Sequence, residues 1–320
     1  MSTAALPLRQ LGQIGLRVPA LCIGAAAIGN MPESFTYEVA AAQALATIRA
    51  VFSGPIPFLD TAAIYGESER RIGVVIRELG GLPEGFVLAT KADRDPHTND
   101  FSAAIIRRGV ERSLQLLGLE KLQLVYLHDP ENGDFAEITG PGGAVEALRR
   151  CQEEGLIDHL GIAGGPIDLL IRYVELGLFD AAISHNRYTL LNTSANPLWD
   201  LCQARNVAAI NAAPYGSGIL AKGTAAWPRY AYQSAEGDLL EQARAAEAIC
   251  ARHGVPLGAA ALQFSLRDQR ITSTIVGITR PERIATTLAW AEHPIPAACW
   301  EELAAVAPNT DDPEAHRWDS

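Results

Sequence analysis

The sequence predicts a (β/α)8 TIM barrel with an N-terminal β-hairpin, and three observations lead there. Eight short apolar runs alternate with stretches of helical spacing along the 320 residues. The runs are apolar on both faces, the pattern of parallel strands under helical cover. Eight such repeats close a barrel, for which about 250 residues plus insertions are typical. An open doubly wound sheet is disfavoured: Gly24-Ala25-Ala26-Ala27-Ile28-Gly29 lacks the Gly-x-Gly-x-x-Gly spacing expected after a first strand.

Residues 7–19 read as the hairpin, Pro7 to Leu11, a glycine-containing turn, then Leu16-Arg17-Val18. Leu21-Cys22-Ile23-Gly24 is the first barrel strand, followed by an alanine-rich helix from Tyr37 to Val51. Phe58-Leu59-Asp60 is the second strand. Ser68 is placed to cap a helix running to Leu79, which stops at Gly80-Gly81-Leu82-Pro83. Val87 to Thr90 is the third strand, and Ser102 opens a helix to Leu117 with Gly118 just past its end. Leu122 to Leu127 is the fourth strand, with a helix over 143–154. Leu160 to Ala163 is the fifth, with a helix from Pro166 to a stop at Gly177. Ala181 to Ser184 is the sixth, with a helix from Pro197 to Arg205. Val207 to Ile210 is the seventh, with helices from Asp238 to His253 and Leu257 to Leu266. Ser273 to Val276 is the eighth, with a last helix from Pro281 to Ala291. The tail from Pro308 is polar and proline-punctuated, a loop expected to fold over one mouth of the barrel. No linker or composition shift divides the chain, so residues 1–320 are expected to form one domain.

Composition bounds the partners. The net charge of -11 argues against nucleic acid and anionic membranes. No apolar run reaches the ~18 residues of a membrane span. Met1-Ser2-Thr3-Ala4-Ala5-Leu6 lacks the basic and apolar regions of a secretory signal. The five scattered cysteines, Cys22, Cys151, Cys202, Cys250 and Cys299, have no zinc or redox spacing and read as free thiols in a reducing compartment. A cytoplasmic protein without a metal site, monomeric or weakly self-associating, is the expectation.

The chemistry lies at the strand ends. The second strand ends at Asp60 and its loop carries Tyr65; the third ends at Lys91 and the fourth at His128-Asp129. In a closed barrel these C-terminal ends converge on one mouth, with neighbouring strands about 4.8 Å apart. A strand-end cap, a solvated lysine or a satisfied core histidine would explain each residue alone. Three consecutive strand ends that each deliver a titratable group, with a tyrosine between them, are better explained as one site. A tyrosine hydroxyl has a pKa near ~10. A neighbouring ammonium is expected to lower it, a carboxylate to anchor that ammonium, and a histidine to bond a substrate oxygen. Such a site donates a proton to oxygen and needs a partner that carries the electrons.

The segment Leu59-Asp60-Thr61-Ala62-x-x-Tyr65-Gly66-x-Ser68-Glu69, followed by Lys91 and Leu127-His128, resembles the signature of the aldo-keto reductase superfamily. The resemblance spans the chain from the hairpin to the eighth strand. It implies an Asp60–Tyr65–Lys91–His128 tetrad and a nicotinamide cofactor, NADP or NAD, held in an extended pose. Ser184 to Leu191 is similar to the superfamily's sixth-strand motif. Asn211 to Leu220, with Ala213, Pro214, Tyr215, Gly216, Ser217 and Gly218, is similar to its pyrophosphate-covering loop. Val276 to Ile284, with Thr279, Arg280 and Arg283, is similar to its adenosine-phosphate loop. That match is physically apt, because a helix N-terminus and fixed guanidinium groups suit a phosphate.

The resemblance also implies cofactor contacts from Ala163-Gly164, where the superfamily often has Ser-Asn, from His185, where it usually has glutamine, and from Thr287, where Glu-Asn is replaced by Thr286-Thr287. Small residues Asn211-Ala212 replace the aromatic that commonly stacks on nicotinamide, and Gly277 replaces a frequent lysine. NAD and NADP therefore both stay open. Within the superfamily the chain is similar to aldose 1-dehydrogenases of the D-threo-aldose, L-fucose and L-galactose type, and to pyridoxal 4-dehydrogenase. The implied reaction oxidises a sugar at C1 to the lactone, with Tyr65 as acid and base. The small-molecule partner is thus a sugar, or an aldehyde such as pyridoxal if the enzyme runs as a carbonyl reductase. Two further readings stand beside these. One is a class I aldolase-like lyase using Lys91 as a Schiff-base amine. The other is a nucleotide sensor without turnover.

Overall fold

The computed structural model describes residues 8–315. Met1 to Leu6, Pro7 and Trp318 lie outside the described residues. β1 (Leu8–Gln10) pairs antiparallel with β2 (Arg17–Pro19). The chain then lays down β3 (Leu21–Gly24), β4 (Phe58–Asp60), β5 (Val87–Ala92), β6 (Leu122–His128), β7 (Ile157–Gly164), β8 (Ala181–His185) and β9 (Ala208–Ala212). A small antiparallel hairpin of β10 (Arg229–Tyr230) and β11 (Gln233–Ser234) follows, then β12 (Ile271–Gly277). β3 to β9 and β12 form a closed barrel whose neighbours are all parallel, β12 joining β9 to β3. The expected (β/α)8 barrel with its N-terminal hairpin is the observed architecture.

The side-chain period of two sorts each strand into two faces. Cys22, Phe58, Val87, Ala89, Leu124 and Tyr126 point into the lumen and pack there with Ile183, Ile210 and Ile275. Leu21, Ile23, Leu59, Leu88, Val125 and Leu127 point outward and pack under the helices. Leu11 and Val18 of the hairpin join the lumen cluster, so the hairpin stoppers the N-terminal mouth. The lumen is crowded. A Cβ on Gly161 would come within 2.3 Å of the Tyr126 ring, so glycine on β7 is what admits that ring. By the same alternation, Asp60, Lys91 and His128 fall on the inward face at the C-terminal ends of β4, β5 and β6.

Several boundaries differ from expectation for tertiary reasons. The helix expected from Tyr37 begins at Ala41. Residues 37–40 are held outside it, because Val39 N donates to Asn30 Oδ1 at 2.8 Å and Val39 O accepts from the buried Arg71 guanidinium at 3.1 Å. Ser68 is the first residue of its helix and Glu67 occupies the cap position. The Ser68 hydroxyl is committed elsewhere, donating to Ala25 O at 3.0 Å. The fifth barrel strand runs longer than expected, as β7 shows. The tail does not hang free: Asn309 pairs with Leu191 and Thr193 through backbone hydrogen bonds of 2.9 and 2.8 Å. Among the described residues no helix is long and apolar enough to cross a membrane.

Candidate active site

Lys91 lies at the centre of the C-terminal mouth, 3% exposed. Its ammonium donates to Asp60 Oδ1 at 2.5 Å and to Thr61 O at 2.7 Å. The other carboxylate oxygen of Asp60 is buried with no hydrogen-bond partner. Burial pushes the Asp60 carboxyl above its ordinary pKa, and the Lys91 charge opposes that rise. The ammonium stands 4.7 Å from the centroid of the Tyr65 ring, a cation–π arrangement.

Tyr65 lies in the loop between β4 and the helix Ser68–Leu79, and that loop is fastened at several points. Thr61 Oγ1 donates to Ser68 Oγ at 2.8 Å, Glu67 N donates to Gly29 O at 2.9 Å, and Ile64 N donates to Asp93 Oδ2 at 3.0 Å. A Cβ on Gly29 would stand 1.9 Å from Tyr65 O, so only glycine allows this approach. Tyr65 keeps part of its surface open to a cavity. Protein nevertheless surrounds it closely, and desolvation holds its hydroxyl well above the ordinary tyrosine value, aided by the charges of Asp60 and Asp129. The expectation that Lys91 would make this phenol unusually acidic is therefore reversed. Desolvation penalises the phenolate more than the ammonium, which is already engaged with Asp60, favours it.

The Tyr65 and His128 rings meet edge to face, with centroids 5.6 Å apart. His128 is buried between two carboxylates. Its Nδ1 lies 2.5 Å from Asp93 Oδ1 and its Nε2 3.4 Å from Asp129 Oδ1. Burial alone would lower the imidazole pKa, but Asp129 and Asp93 outweigh it and the net shift is upward.

These groups open onto a cavity of about 1200 Å³. Asp60, Tyr65, Lys91 and His128 all line it. So do Ala163, Gly164, His185, Ala213, Pro214, Tyr215, Ser217, Gly218, Thr279, Arg280 and Arg283. Two residues expected at the cofactor do not: Gly216 is covered by the Tyr230 ring, and Thr287 is 2% exposed on the inner side of its helix. The volume exceeds the ~300–1000 Å³ of ordinary small-molecule pockets, room for a dinucleotide and a second small molecule together. Arg280 and Arg283 add positive charge to its lining. The carbonyl of Thr279 there is held by Gln43 Nε2 at 2.9 Å and Thr47 Oγ1 at 3.1 Å.

Sequence reasoning passed over several residues of this mouth. Asp93 follows Lys91 by two, the strand period, and that spacing could have flagged it. Asp129, the residue after His128, has its Oδ1 3.4 Å from the imidazole Nε2. Trp227, Arg229, Tyr232 and Gln233 line the cavity from the β10–β11 hairpin and its approach, which no periodicity announced. A buried ion cluster beyond β8 was equally invisible. Arg187, wholly buried, donates to Glu314 Oε2 at 2.9 Å and Asp312 Oδ1 at 2.5 Å, and Glu314 also meets His185 Nε2 at 3.2 Å.

Comparison with known proteins agrees with this geometry. The chain is 32% identical to D-threo-aldose 1-dehydrogenase of Pseudomonas sp over 91% of its length and 94% of that protein. It is 30% identical to L-galactose dehydrogenase of Arabidopsis thaliana, covering 89% and 88%. It is 28% identical to pyridoxal 4-dehydrogenase of Microbacterium luteolum, covering 92% and 96%. The fold matches the holo form of an aldo-keto reductase from Bacillus halodurans with a TM-score of 0.77 at 21% identity, over 98% and 99% of the two chains. The model of the Aldo/keto reductase family matches residues 20–308, and the chain belongs to that family.

Proposed function

We propose that this oxidoreductase oxidises an aldose at C1 with NAD or NADP, taking hydride from the anomeric carbon and a proton from its hydroxyl. The observation that carries the reading is the buried Lys91–Asp60 pair beside Tyr65 in a cavity whose lining also carries Arg280 and Arg283. The resemblance to D-threo-aldose 1-dehydrogenase and L-galactose dehydrogenase supports the sugar as substrate.

The residues fit a dinucleotide: Arg280, Arg283 and the start of the helix Glu282–Glu292 would meet its phosphates, and Ala163, Gly164 and His185 its nicotinamide end. When bound, the nicotinamide accepts or returns the hydride. Tyr65 exchanges the proton with the substrate oxygen. Its raised pKa keeps it a neutral phenol at rest, ready to give that proton in the reductive direction. Lys91 sits under the ring and offsets the negative charge that grows when the proton leaves. Asp60 and Thr61 O hold Lys91 in place. His128 lines the cavity with its Nδ1 taken by Asp93, which leaves Nε2 to bond the substrate oxygen.

The lyase alternative fits less well, because a Schiff base needs a free amine and the Lys91 ammonium is 3% exposed with two acceptors. The test follows reduced-cofactor absorbance over L-fucose, D-arabinose, L-galactose and pyridoxal, with NAD and NADP assayed separately. Turnover of at least one sugar is expected, and Tyr65→Phe should abolish it while leaving cofactor affinity within about tenfold, since uniform binding survives loss of the proton donor. Borohydride trapping of a carbonyl substrate on Lys91, or loss of cofactor binding in Tyr65→Phe, would refute the assignment.

A further inference from the structure

We propose that Asp93 is the positioning residue that couples the two proton-handling groups, one carboxylate oxygen fixing the His128 tautomer and the other tying down the loop that carries Tyr65. The inference rests on the oxidoreductase reading of this site and adds a residue to it. Asp93 is 7% exposed and does not line the cavity, so it acts on substrate only through its neighbours. Its Oδ1 lies 2.5 Å from His128 Nδ1, and its Oδ2 accepts from Ile64 N at 3.0 Å, one residue before Tyr65. Both oxygens are therefore committed, each to a different arm of the site.

The consequence for His128 follows from donor and acceptor chemistry. An ionised carboxylate only accepts hydrogen bonds, so Nδ1 must carry hydrogen. A neutral His128 then carries its lone pair on Nε2, which stands 3.4 Å from Asp129 Oδ1, and accepts there from a hydroxyl, the group present before oxidation. A protonated His128 presents N–H there and donates to a carbonyl oxygen, the group present before reduction. One buried carboxylate thus lets a single imidazole serve both directions, with pH selecting the form. The charged and titratable groups around the imidazole are Asp60 from β4, Tyr65 from its loop, Lys91 and Asp93 from β5 and its end, and Asp129 from its own loop. Lys91 opposes protonation of the ring; Asp93 and Asp129 favour it.

Asp93→Asn separates the two contacts. The amide oxygen still accepts from Ile64 N, while the amide NH₂ turned to Nδ1 donates and forces the imidazole hydrogen onto Nε2. The measurement is the nitrogen-15 resonance titration of His128 in the full-length protein, which reads tautomer and midpoint without turnover. Wild type should show hydrogen on Nδ1. Asp93→Asn should show it on Nε2, with the midpoint about 1–3 units lower. Its kcat should fall by about 10²-fold or more, and the pH limb assigned to His128 should move with the resonance midpoint, while KM changes less. Asp93→Ala should in addition expose the Ile64 amide to faster hydrogen exchange, and Asp93→Asn should not. A neutral wild-type His128 with hydrogen on Nε2, or a midpoint and tautomer unmoved in Asp93→Asn, would overturn the proposal. The wild-type measurement decides even if the variants do not fold. If no sugar or aldehyde turns over, the functional reading fails while the resonance result still decides the role of Asp93.

Discussion

Replacing Lys91 by methionine should convert the buried pair into a buried, uncompensated carboxylate, with a cost that depends on pH. Lys91 and Asp60 are both nearly inaccessible, and one Asp60 oxygen already lacks a partner. Removing one member of such a pair typically costs about 3–5 kcal/mol. The chain has a way to limit that cost, which is to fold with Asp60 protonated. Starting from an unfolded carboxyl at about 3.9, each pH unit above that value adds about 1.4 kcal/mol, so the ceiling is about 4 kcal/mol at pH 7 and about 1.5 kcal/mol at pH 5. The sign is that of a carboxyl raised in the folded state: the folded variant takes up a proton, so its stability falls as pH rises. Denaturant unfolding of wild type and Lys91→Met at pH 5, 6 and 7 reads the difference directly. A destabilisation of the same size at all three values would refute the view that Asp60 is left as a stranded charge. Asp60→Asn in the same background should recover most of the loss at pH 7 and little at pH 5.

Two further perturbations probe the surroundings of the site. Burial and the neighbouring Asp129 hold the Glu131 carboxyl up at about 7, and one of its oxygens is buried without a partner. The folded state therefore keeps a proton that the unfolded chain releases, and stability drains away as pH rises through that window; Glu131→Gln should raise the melting temperature at pH 8 and change it little at pH 5, and an equal change at both would contradict the assignment. Arg187→Met should remove the buried cation that meets both Asp312 and Glu314, destabilise by about 3–5 kcal/mol, and open the segment Asn309–Glu314 to limited proteolysis. Arg187→Lys should not restore protection, because one ammonium cannot replace a planar fork that meets two carboxylates.

Much of this site was legible because strand parity is a local property. Asp60, Lys91 and His128 fall inward for the same reason that Phe58, Ala89 and Tyr126 do, and convergence at the C-terminal mouth follows from closing the barrel. What failed was non-local. The direction of the Tyr65 pKa depended on how much protein surrounds the ring, which no residue in its own loop reveals. Thr287 was assigned to the cofactor from a motif, but a motif does not say which side of a helix faces inward. The Arg187–Glu314 contact joins residues 127 apart in sequence, and nothing near either one announces the other. The Tyr37 helix start was wrong for the same reason: Asn30 and Arg71 claim that backbone first.

The Arg187 cluster bears on how the protein can be made. The guanidinium is synthesised 125 and 127 residues ahead of the two carboxylates that neutralise it. A nascent chain halted anywhere in that interval lacks both carboxylates that Arg187 meets in the folded protein, so the contacts around His185 are complete only once residues 312–314 have emerged. Fragments ending short of that stretch should be poor folders even when all eight staves of the barrel are present, and chaperones would meet this chain with its interior still wet on that side.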